Sequence, residues 1–146
     1  MTVAIIGSRG YPYVYSGYET FVKELGERLV TKGIHVRVYC HRSLFDSRPK
    51  FKNGIELIYI PAIESKVLSQ LSHSFLSMIH CCFSSTDIIL VVNTAVGPFG
   101  IFSRFFRKKT VINLDGMEWK RPKWKGLGGR YFFLASKLST ILFDRL

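Results

Sequence analysis

The sequence has little cysteine and lacks the residue spacings that build metal centres. Its three cysteines are an odd number that includes the adjacent pair Cys81 and Cys82, which favours reduced structural thiols over a disulfide framework. Neither Cys-x-x-Cys nor His-Glu-x-x-His occurs, and there is no Gly-x-Ser-x-Gly nucleophile elbow. We therefore expect neither a bound metal nor a serine-hydrolase centre.

Long hydrophobic runs are also missing. The apolar stretch from Val67 to Val92 is interrupted by serines, histidines, Gln70 and Asp87, so it stays below the roughly 18 to 20 residues of a membrane helix. Residues 1–7 lack both the basic start and the length of a secretory signal. We expect a cytoplasmic protein without a transmembrane segment.

Acidic residues are scarce relative to basic ones. The 146 residues include 21 Lys or Arg and 10 Asp or Glu, a formal charge of +11. From Arg104 onward there are 11 basic residues and 3 acidic ones, and aromatic residues alternate with them in 102–109 and 119–125. Such a segment suits a phosphorylated substrate, an anionic lipid headgroup or nucleic acid, unless it is only a solvated basic face. No helix-turn-helix, RNA-recognition or zinc pattern supports nucleic acid.

The length and the apolar content predict one globular domain. Apolar residues make up 47% of the chain and aromatic residues 14%, which is enough for a full core. The chain ends at Leu146 within a helical pattern, with no glycine or proline stop. We therefore expect the sequence to be part of a longer protein.

Strand and helix patterns alternate along the chain. Short runs rich in Val and Ile predict strands, and apolar residues at spacings of three and four predict helices. The predicted strands are 2–7, 34–40, 55–60, 88–92 and 110–114, and the predicted helices are 17–32, 66–84, 99–106 and 126–146. Residues 41–54 read as a polar loop with an Asn53-Gly54 turn. The order predicts an α/β protein with a Rossmann-like parallel sheet and helices on both faces.

The loop after the first strand is a candidate phosphate site. In such sheets ligands bind at the carboxyl ends of the strands. Gly17, beside a helix start, would let a phosphate approach the backbone N–H groups at the helix N-terminus. The loop has neither the P-loop sequence nor the G-x-G-x-x-G spacing, and the second strand ends in Tyr39-Cys40-His41 instead of a carboxylate, which argues against a nicotinamide enzyme. Gly7 and Gly10 either serve the ligand or only allow tight turns.

Two further loops carry candidate residues. Asn93, after the fourth strand, either binds a sugar hydroxyl or caps the next element. Asp115 follows the fifth strand close to Trp119, a combination suited to holding a polar substrate and stacking on a sugar ring. The alternative for Asp115 is an Asp-Gly turn, and Glu118 is either catalytic or paired with a neighbouring cation. His73 and His80 share a helical stripe and read as partly buried histidines.

Several strings, in this order, resemble the N-terminal domain of bacterial retaining glycosyltransferases of family 4, in the rhamnosyltransferase-like branch of surface polysaccharide synthesis. They are Gly7-Ser8-Arg9-Gly10, Ser16-Gly17-Tyr18-Glu19-Thr20-Phe21-Val22, Val38-Tyr39-Cys40, Pro61-Ala62-Ile63, Leu71-Ser72-His73 and Asp115-Gly116-Met117-Glu118-Trp119-Lys120-Arg121. Ser16 stands where the family commonly has a second glycine. The resemblance covers essentially residues 1–146.

The resemblance implies a function and a division of labour. Family members have two Rossmann-like domains facing a cleft (the GT-B architecture) and transfer a sugar from a nucleotide diphosphate donor with retention at the anomeric carbon. Residues 1–146 correspond to the acceptor-side domain, and the C-terminal donor domain is absent from the sequence, so the chain alone is expected to be inactive. The nucleotide sugar is a substrate, and no cofactor is expected.

The resemblance places Gly17 near the donor diphosphate and Asp115 and Glu118 on the acceptor side, and the loop chemistry adds the remaining candidates. The predicted donor-phosphate residues are Arg9, Gly10 and Gly17; the predicted catalytic residues are Asp115 and Glu118; the predicted acceptor-binding residues are Asn93, Trp119, Lys120 and Arg121. A lipid-linked or polysaccharide acceptor is implied, which gives the basic aromatic segment an anionic membrane surface as its partner and places the protein at the inner face of the membrane. The alternatives are an inactive fragment and a basic module that binds anions or nucleic acid.

Overall fold

The computed structural model describes residues 1–12, 16–66, 68–114, 120, 122 and 126–146. Its centre is one six-stranded sheet with the order β3-β4-β2-β1-β5-β6. The strands are β1 (Thr2–Ile6), β2 (His35–His41), β3 (Phe51–Lys52), β4 (Ile55–Ile60), β5 (Ile88–Val91) and β6 (Lys109–Ile112). All neighbouring pairs are parallel except β3 with β4. The predicted α/β class is confirmed.

Helices cover both faces of the sheet. They are α1 (Gly17–Thr31), α2 (Leu68–Phe83), α3 (Gly100–Phe105) and α4 (Leu127–Leu142). Val22 of α1 packs with Val3 and Ile5 of β1 on one face. On the other face, Met78 of α2 packs with Ala4 and Ile6, the alternate residues of the same strand. The period of two in β1 therefore divides the core into two layers, one on each side of the sheet.

The three cysteines are free thiols in these two layers, and all are buried. Cys40 lies in the α1 layer, while Cys81 and Cys82 lie in the α2 layer. Burial raises the pKa of the Cys40 and Cys81 thiols to about 12, although the Tyr11 carbonyl and the Tyr39 hydroxyl, respectively, act in the opposite direction. At neutral pH they are therefore protonated packing residues, as the odd count and the adjacent pair predict.

The structure differs from the predicted elements in three segments. The last helix does not continue to Leu146 as predicted, because α4 ends at Leu142, Phe143 is extended, and Arg145 forms a parallel bridge with Val111 of β6. Residues 41–54 are not only a loop, because β3 forms a hairpin with β4 across Asn53 and Gly54, both at positive φ. The segment before α3 is a 3₁₀ helix, Thr94–Phe99, which includes the Gly97-Pro98 pair expected to interrupt structure. Pro98 fits because a short 3₁₀ helix requires few backbone donors.

The strand order fixes where a ligand can approach. From β1 the chain moves to β2 and β4 on one side, and then returns to β5 and β6 on the other side of β1. The order therefore reverses between β1 and β5, and the carboxyl ends of the strands at such a reversal are where open α/β sheets have their ligand crevice. Within the described residues, no helix is both long enough and apolar enough to cross a bilayer.

Gly97 is a close-packing glycine between the 3₁₀ helix and α4. A Cβ at this position would collide with the Ala135 carbonyl oxygen and the Ser139 hydroxyl of α4. We predict that Gly97→Ala lowers the free energy of unfolding by about 1–3 kcal/mol, because the α4 backbone must move. Gly17→Ala, where a Cβ meets no atom within 4 Å, is the matched control. Urea denaturation of both variants is the measurement, and equal stabilities would contradict this packing.

Candidate functional site

The loops after β1 and β5 pass very close to each other at the switch in strand order. Gly7 follows β1 with φ +97°, a conformation that suits glycine. A Cβ on Gly7 would lie 3.2 Å from the backbone nitrogen of Asn93, the residue two positions after β5. Glycine at this position therefore lets the two loops form one edge of the crevice.

A buried carboxylate fastens the glycine loop to the start of α1. Glu19 is 3% exposed. Its Oε1 accepts from the Arg9 backbone N–H (2.9 Å), and its Oε2 accepts from the Ser16 backbone N–H (2.9 Å) and hydroxyl (2.6 Å). Ser16 is the N-cap of α1, and its hydroxyl oxygen also accepts from the Tyr18 N–H. This capping box, extended by one bond to Arg9, fixes both ends of the loop.

Gly17 lies at the open amino end of α1. It is the first helical residue and it is exposed, and within the described residues no atom beyond its chain neighbours and its own helix backbone lies within 4 Å of the place a Cβ would occupy. Ser16, at the position where a glycine was expected, has extended backbone (φ −148°) that any residue adopts. At the amino end of α1 the Glu19 carboxylate therefore already offsets part of the positive dipole, while the Gly17 position is accessible among the described residues.

Arg9 and Gly10 lie in the loop after β1, beside the end of β2. The Arg9 carbonyl accepts from the His41 backbone N–H at 3.0 Å, and the Arg9 side chain is half-buried. A Cβ on Gly10 would lie 2.9 Å from Cys40 and from the Phe45 ring. Gly10 therefore has a packing role in the structure, and phosphate binding by Arg9 and Gly10 stays a prediction.

Two buried histidines stack under this end of the sheet. His41, the last residue of β2, and His73 of α2 have ring centroids 3.8 Å apart and nearly parallel planes. Burial, followed by the nearby Arg9 guanidinium, lowers the pKa of His41 to about 4. Burial, followed by His41 itself, lowers the pKa of His73 to about 3. Both imidazoles are therefore neutral at neutral pH.

Several polar side chains lie near the stacked histidines, at the carboxyl ends of the strands. The Gln70 side chain of α2 donates to the Gly7 carbonyl at 2.8 Å and so connects α2 to the glycine loop. Within the described residues, four buried side chains have polar atoms with no hydrogen-bond partner, and we call them the polar floor. They are Ser8, His41, His73 and Thr94. These side chains follow or adjoin the carboxyl ends of β1, β2 and β5, and their unpaired polar atoms are buried beneath the loops there.

Asn93 caps the 3₁₀ helix that follows β5. Its Oδ1 accepts from the Ala95 backbone N–H at 2.9 Å. The capping alternative is therefore realised, and acceptor binding by the same side chain remains a prediction. The prediction that His73 and His80 are both partly buried is wrong: His73 is fully buried, and His80 is exposed, with its Nδ1 hydrogen-bonded to the Tyr39 hydroxyl at 2.7 Å.

The acceptor-side predictions depend on the segment after β6. Asp115, Glu118, Trp119 and Arg121 lie outside the described residues. Lys120 is described and exposed. The Asn113 N–H donates to the Val91 carbonyl at 2.8 Å, so the segment leaves the sheet beside the end of β5. No group of three or more His, Cys, Asp or Glu in the described part of the chain could hold a metal ion.

Sequence reasoning missed two features of the site. The bond from Arg9 to Glu19 depends on the path of the loop, although the Ser16-x-x-Glu19 capping box is itself visible in the sequence. The stack of His41 on His73 brings together residues 32 positions apart. Its only signal is the alternation of β2, which places His41 on the same face as Tyr39, toward α2.

The histidine pair makes stability depend on pH. Unfolded histidines titrate near 6.5, so below that pH the unfolded chain binds protons that the folded chain excludes down to about pH 4. We predict that the free energy of unfolding falls on acidification from pH 7 to 4.5, with a slope that approaches about 1.4 kcal/mol per pH unit for each histidine between pH 6 and 5, relative to a His41→Phe/His73→Phe double variant. Urea titrations give the slope. Exposed His35→Gln is the control, and equal slopes for the double variant and the wild type would disprove the assignment.

Comparisons with known proteins agree with this architecture. A family model described as a domain of unknown function, DUF1972, matches residues 1–146. No curated protein matches the sequence. Among solved structures the chain is similar to a sucrose-phosphate synthase from Thermosynechococcus elongatus, with a TM-score of 0.66 and 16% sequence identity. The match covers 97% of this chain and 39% of that chain.

The similarity to the solved structure shows the fold, and the family model shows which family the chain belongs to. The fold is the Rossmann-like α/β arrangement found in a GT-B glycosyltransferase, and this chain spans about two fifths of the length of the enzyme it resembles. The chain belongs to the DUF1972 family, a family defined as a domain of unknown function.

Proposed function

We propose that this chain is the acceptor-side part of a retaining glycosyltransferase. The donor would be a nucleotide diphosphate sugar, with rhamnose as the candidate sugar, and the acceptor would be lipid-linked or polysaccharide. The observation that carries the proposal is the open amino end of α1 at the switch in strand order, held in place by the buried Glu19 carboxylate. The structural similarity to sucrose-phosphate synthase supports it.

Sugar transfer with a diphosphate leaving group requires stabilisation of negative charge. In the proposal, the leaving diphosphate lies at the amino end of α1, near Gly17, where backbone N–H groups and the helix dipole favour an anion. Arg9 adds a guanidinium from the other end of the same loop. Because Glu19 fixes both ends of the loop, these donors are positioned before the substrate arrives, which is the condition for effective transition-state stabilisation.

The acceptor is assigned to the loops after β5 and β6. We propose that Asp115 orients the attacking hydroxyl or accepts its proton, and that Glu118 assists it. Trp119 would stack on a sugar ring, with Lys120 and Arg121 beside it. Asn93 would donate from its side-chain amide nitrogen to an acceptor hydroxyl while its oxygen caps the 3₁₀ helix. The polar floor would lie beneath these groups.

The proposal includes a second domain and a cellular location. Most of the donor would be held by a separate domain facing the crevice, so this chain alone would not turn over substrate. No metal has a role in the proposed reaction. With a lipid-linked acceptor, the enzyme would work in the cytoplasm at the inner face of the membrane, in polysaccharide synthesis.

The phosphate assignment predicts where a nucleoside diphosphate binds. An NMR titration with UDP or dTDP to millimolar concentration should shift the amide signals of Ser8, Arg9 and residues 16–19. Gly17→Val should weaken this binding about tenfold or more, because the added side chain blocks approach to the helix amides. Its fold should persist, since a Cβ meets nothing there.

Thr31→Val, an exposed change at the other end of α1, is the matched control and should bind as wild type does. Shifts at unrelated residues, or equal binding by Gly17→Val, would contradict the phosphate assignment. If an oligonucleotide shifts the protein in a gel while the nucleotides cause no change, the nucleic-acid alternative replaces the proposal.

The acceptor assignment predicts a catalytic defect. In the complete gene product that contains this domain, Asp115→Asn should lower kcat by about 100-fold or more, because the amide cannot accept the proton of the acceptor hydroxyl. The KM for the donor should change little. Asp46→Asn, which alters an exposed carboxylate after β2, is the control. Radiolabelled sugar transfer is the measurement, and unchanged turnover would remove Asp115 from the mechanism.

A further inference from the structure

Phenylalanine side chains form a continuous ridge between α2 and α3. Phe75 of α2 contacts Phe99 and Phe102, with ring centroids 5.5 Å apart in each pair. At the other end of α2, Phe83 contacts Phe106 at 4.8 Å, and Phe106 contacts Phe105 at 5.3 Å. Phe102 and Phe106 are one helical turn apart, so the two clusters join. We call these six residues the phenylalanine ridge.

The ridge is open to solvent at the end that holds Phe83 and Phe105. Their exposures are 74% and 82%, although both belong to a residue type that is normally buried. Two aliphatic side chains beside the ridge, Leu76 of α2 and Ile101 of α3, are also exposed. Grouped exposed apolar side chains of this kind mark an interaction surface, because scattered single ones are what ordinary surfaces show.

Cations surround the exposed end of the ridge. A hollow of about 320 Å³ between α3 and β6 is lined by Arg104, Arg107, Lys108 and Lys109, together with Leu142 and Asp144. The lining of this hollow therefore contains four basic residues and one acidic residue. The pair of Arg104 with Asp144 is long, at 3.9 Å, and both side chains are more than half exposed, so it neutralises little of this charge.

Lys108 holds the cations and the ridge together. Its Nζ donates to the Ser84 carbonyl at 2.8 Å and to the Thr86 carbonyl at 3.2 Å, just after the end of α2. The turn that follows α3 is thereby fastened beside Phe83. The basic and the aromatic side chains consequently form a single surface with a fixed arrangement.

Arg107 occupies a backbone position that favours glycine. Its φ is +52°, its N–H donates to the Arg104 carbonyl, and the next N–H, of Lys108, donates to the Ser103 carbonyl. These two bonds form a Schellman motif, whose left-handed residue is usually glycine. A non-glycine residue costs about 1–2 kcal/mol in this conformation. Glycine would therefore be more stable than arginine at this position.

We propose that the phenylalanine ridge and its cations are the surface by which this protein docks on a bilayer containing anionic lipids. Phe83 and Phe105 would enter the interface, and Arg104, Arg107 and Lys109 would contact lipid phosphates.

Charge complementarity supports an anionic bilayer as the partner. A second copy would bring the same cations against each other, in a chain whose formal charge is +11. Nucleic acid fits less well, because the exposed aliphatic Leu76 and Ile101 provide no stacking surface.

The docking surface leaves the candidate site accessible. The exposed end of the ridge, at Phe83 and Phe105, lies where α2 and α3 end, just before Lys109 begins β6 at the amino end of that strand. It therefore lies along the α2–α3 face of the sheet and not over the carboxyl ends of the strands. In the proposed function, this docking would deliver a lipid-linked acceptor. Binding to the bilayer itself does not depend on the proposed function.

Vesicle co-sedimentation tests the surface without any sugar transfer. The protein should bind vesicles of phosphatidylcholine with 30% phosphatidylglycerol (about 30 mol% is a usual composition for detecting polybasic binding), and binding should weaken as salt rises. Phe83→Gln/Phe105→Gln should reduce the partition coefficient about tenfold or more. Arg104→Gln/Arg107→Gln should reduce it about fivefold for each cation removed.

Matched controls lie on the other side of the molecule. Phe51→Gln removes a phenylalanine that is 53% exposed on the opposite edge of the sheet, and Arg28→Gln/Lys32→Gln removes two exposed cations from α1. Both should bind vesicles as wild type does. Arg107→Gly should weaken vesicle binding while leaving the free energy of unfolding equal or higher, which separates lipid contact from a structural role.

Several outcomes would overturn the docking surface. These are equal binding to pure phosphatidylcholine vesicles, equal losses in the control variants, or a wild-type dimer in analytical ultracentrifugation that the phenylalanine variants abolish. The proposal would also be overturned if the protein binds an oligonucleotide through the same arginines and does not bind vesicles. Failure of nucleoside diphosphate binding, in contrast, would affect the proposed function and leave this surface standing.

Discussion

The buried carboxylate of Glu19 is the constraint on which the candidate site depends. A charge that is 3% exposed is costly unless it is satisfied, and Glu19 accepts three hydrogen bonds at the positive end of α1. One of these bonds fixes Arg9, whose carbonyl in turn receives the N–H of His41. The ends of β1 and β2 and the start of α1 are thereby connected through one side chain.

Polar side chains at the two ends of the sheet differ in how well they are paired. At the carboxyl end, the polar floor leaves buried polar atoms without partners inside the described chain, and His41 and His73 lie side by side where burial disfavours their protonation. At the amino end, the Thr2 N–H donates to the Asp87 carboxylate, and Arg37 pairs with Glu56 at 2.7 Å. The stabilising pairs thus lie away from the crevice, as expected where a site sacrifices stability for binding.

The sequence allowed the fold to be predicted because its strands are buried apolar runs and its first helix carries a clear cap. The Val and Ile runs locate β1 and β5, and the Ser16-to-Glu19 spacing locates the start of α1. It could not show β3, a two-residue strand with both side chains exposed, because such a strand has no apolar pattern. The stack of His41 on His73 depends on how α2 docks on β2, which no local pattern encodes. The proposed roles of Asp115 and Glu118 rest on resemblance alone.

The phenylalanine ridge and the basic excess are best understood together. An exposed apolar surface of this kind favours self-association, and the cations around it oppose that association through like-charge repulsion. The same cations attract an anionic surface, against which burial of the phenylalanines becomes favourable. One arrangement therefore provides both solubility and selectivity for the partner. The left-handed Arg107 fits this account, because the guanidinium it places at the rim offsets the backbone strain that glycine would avoid.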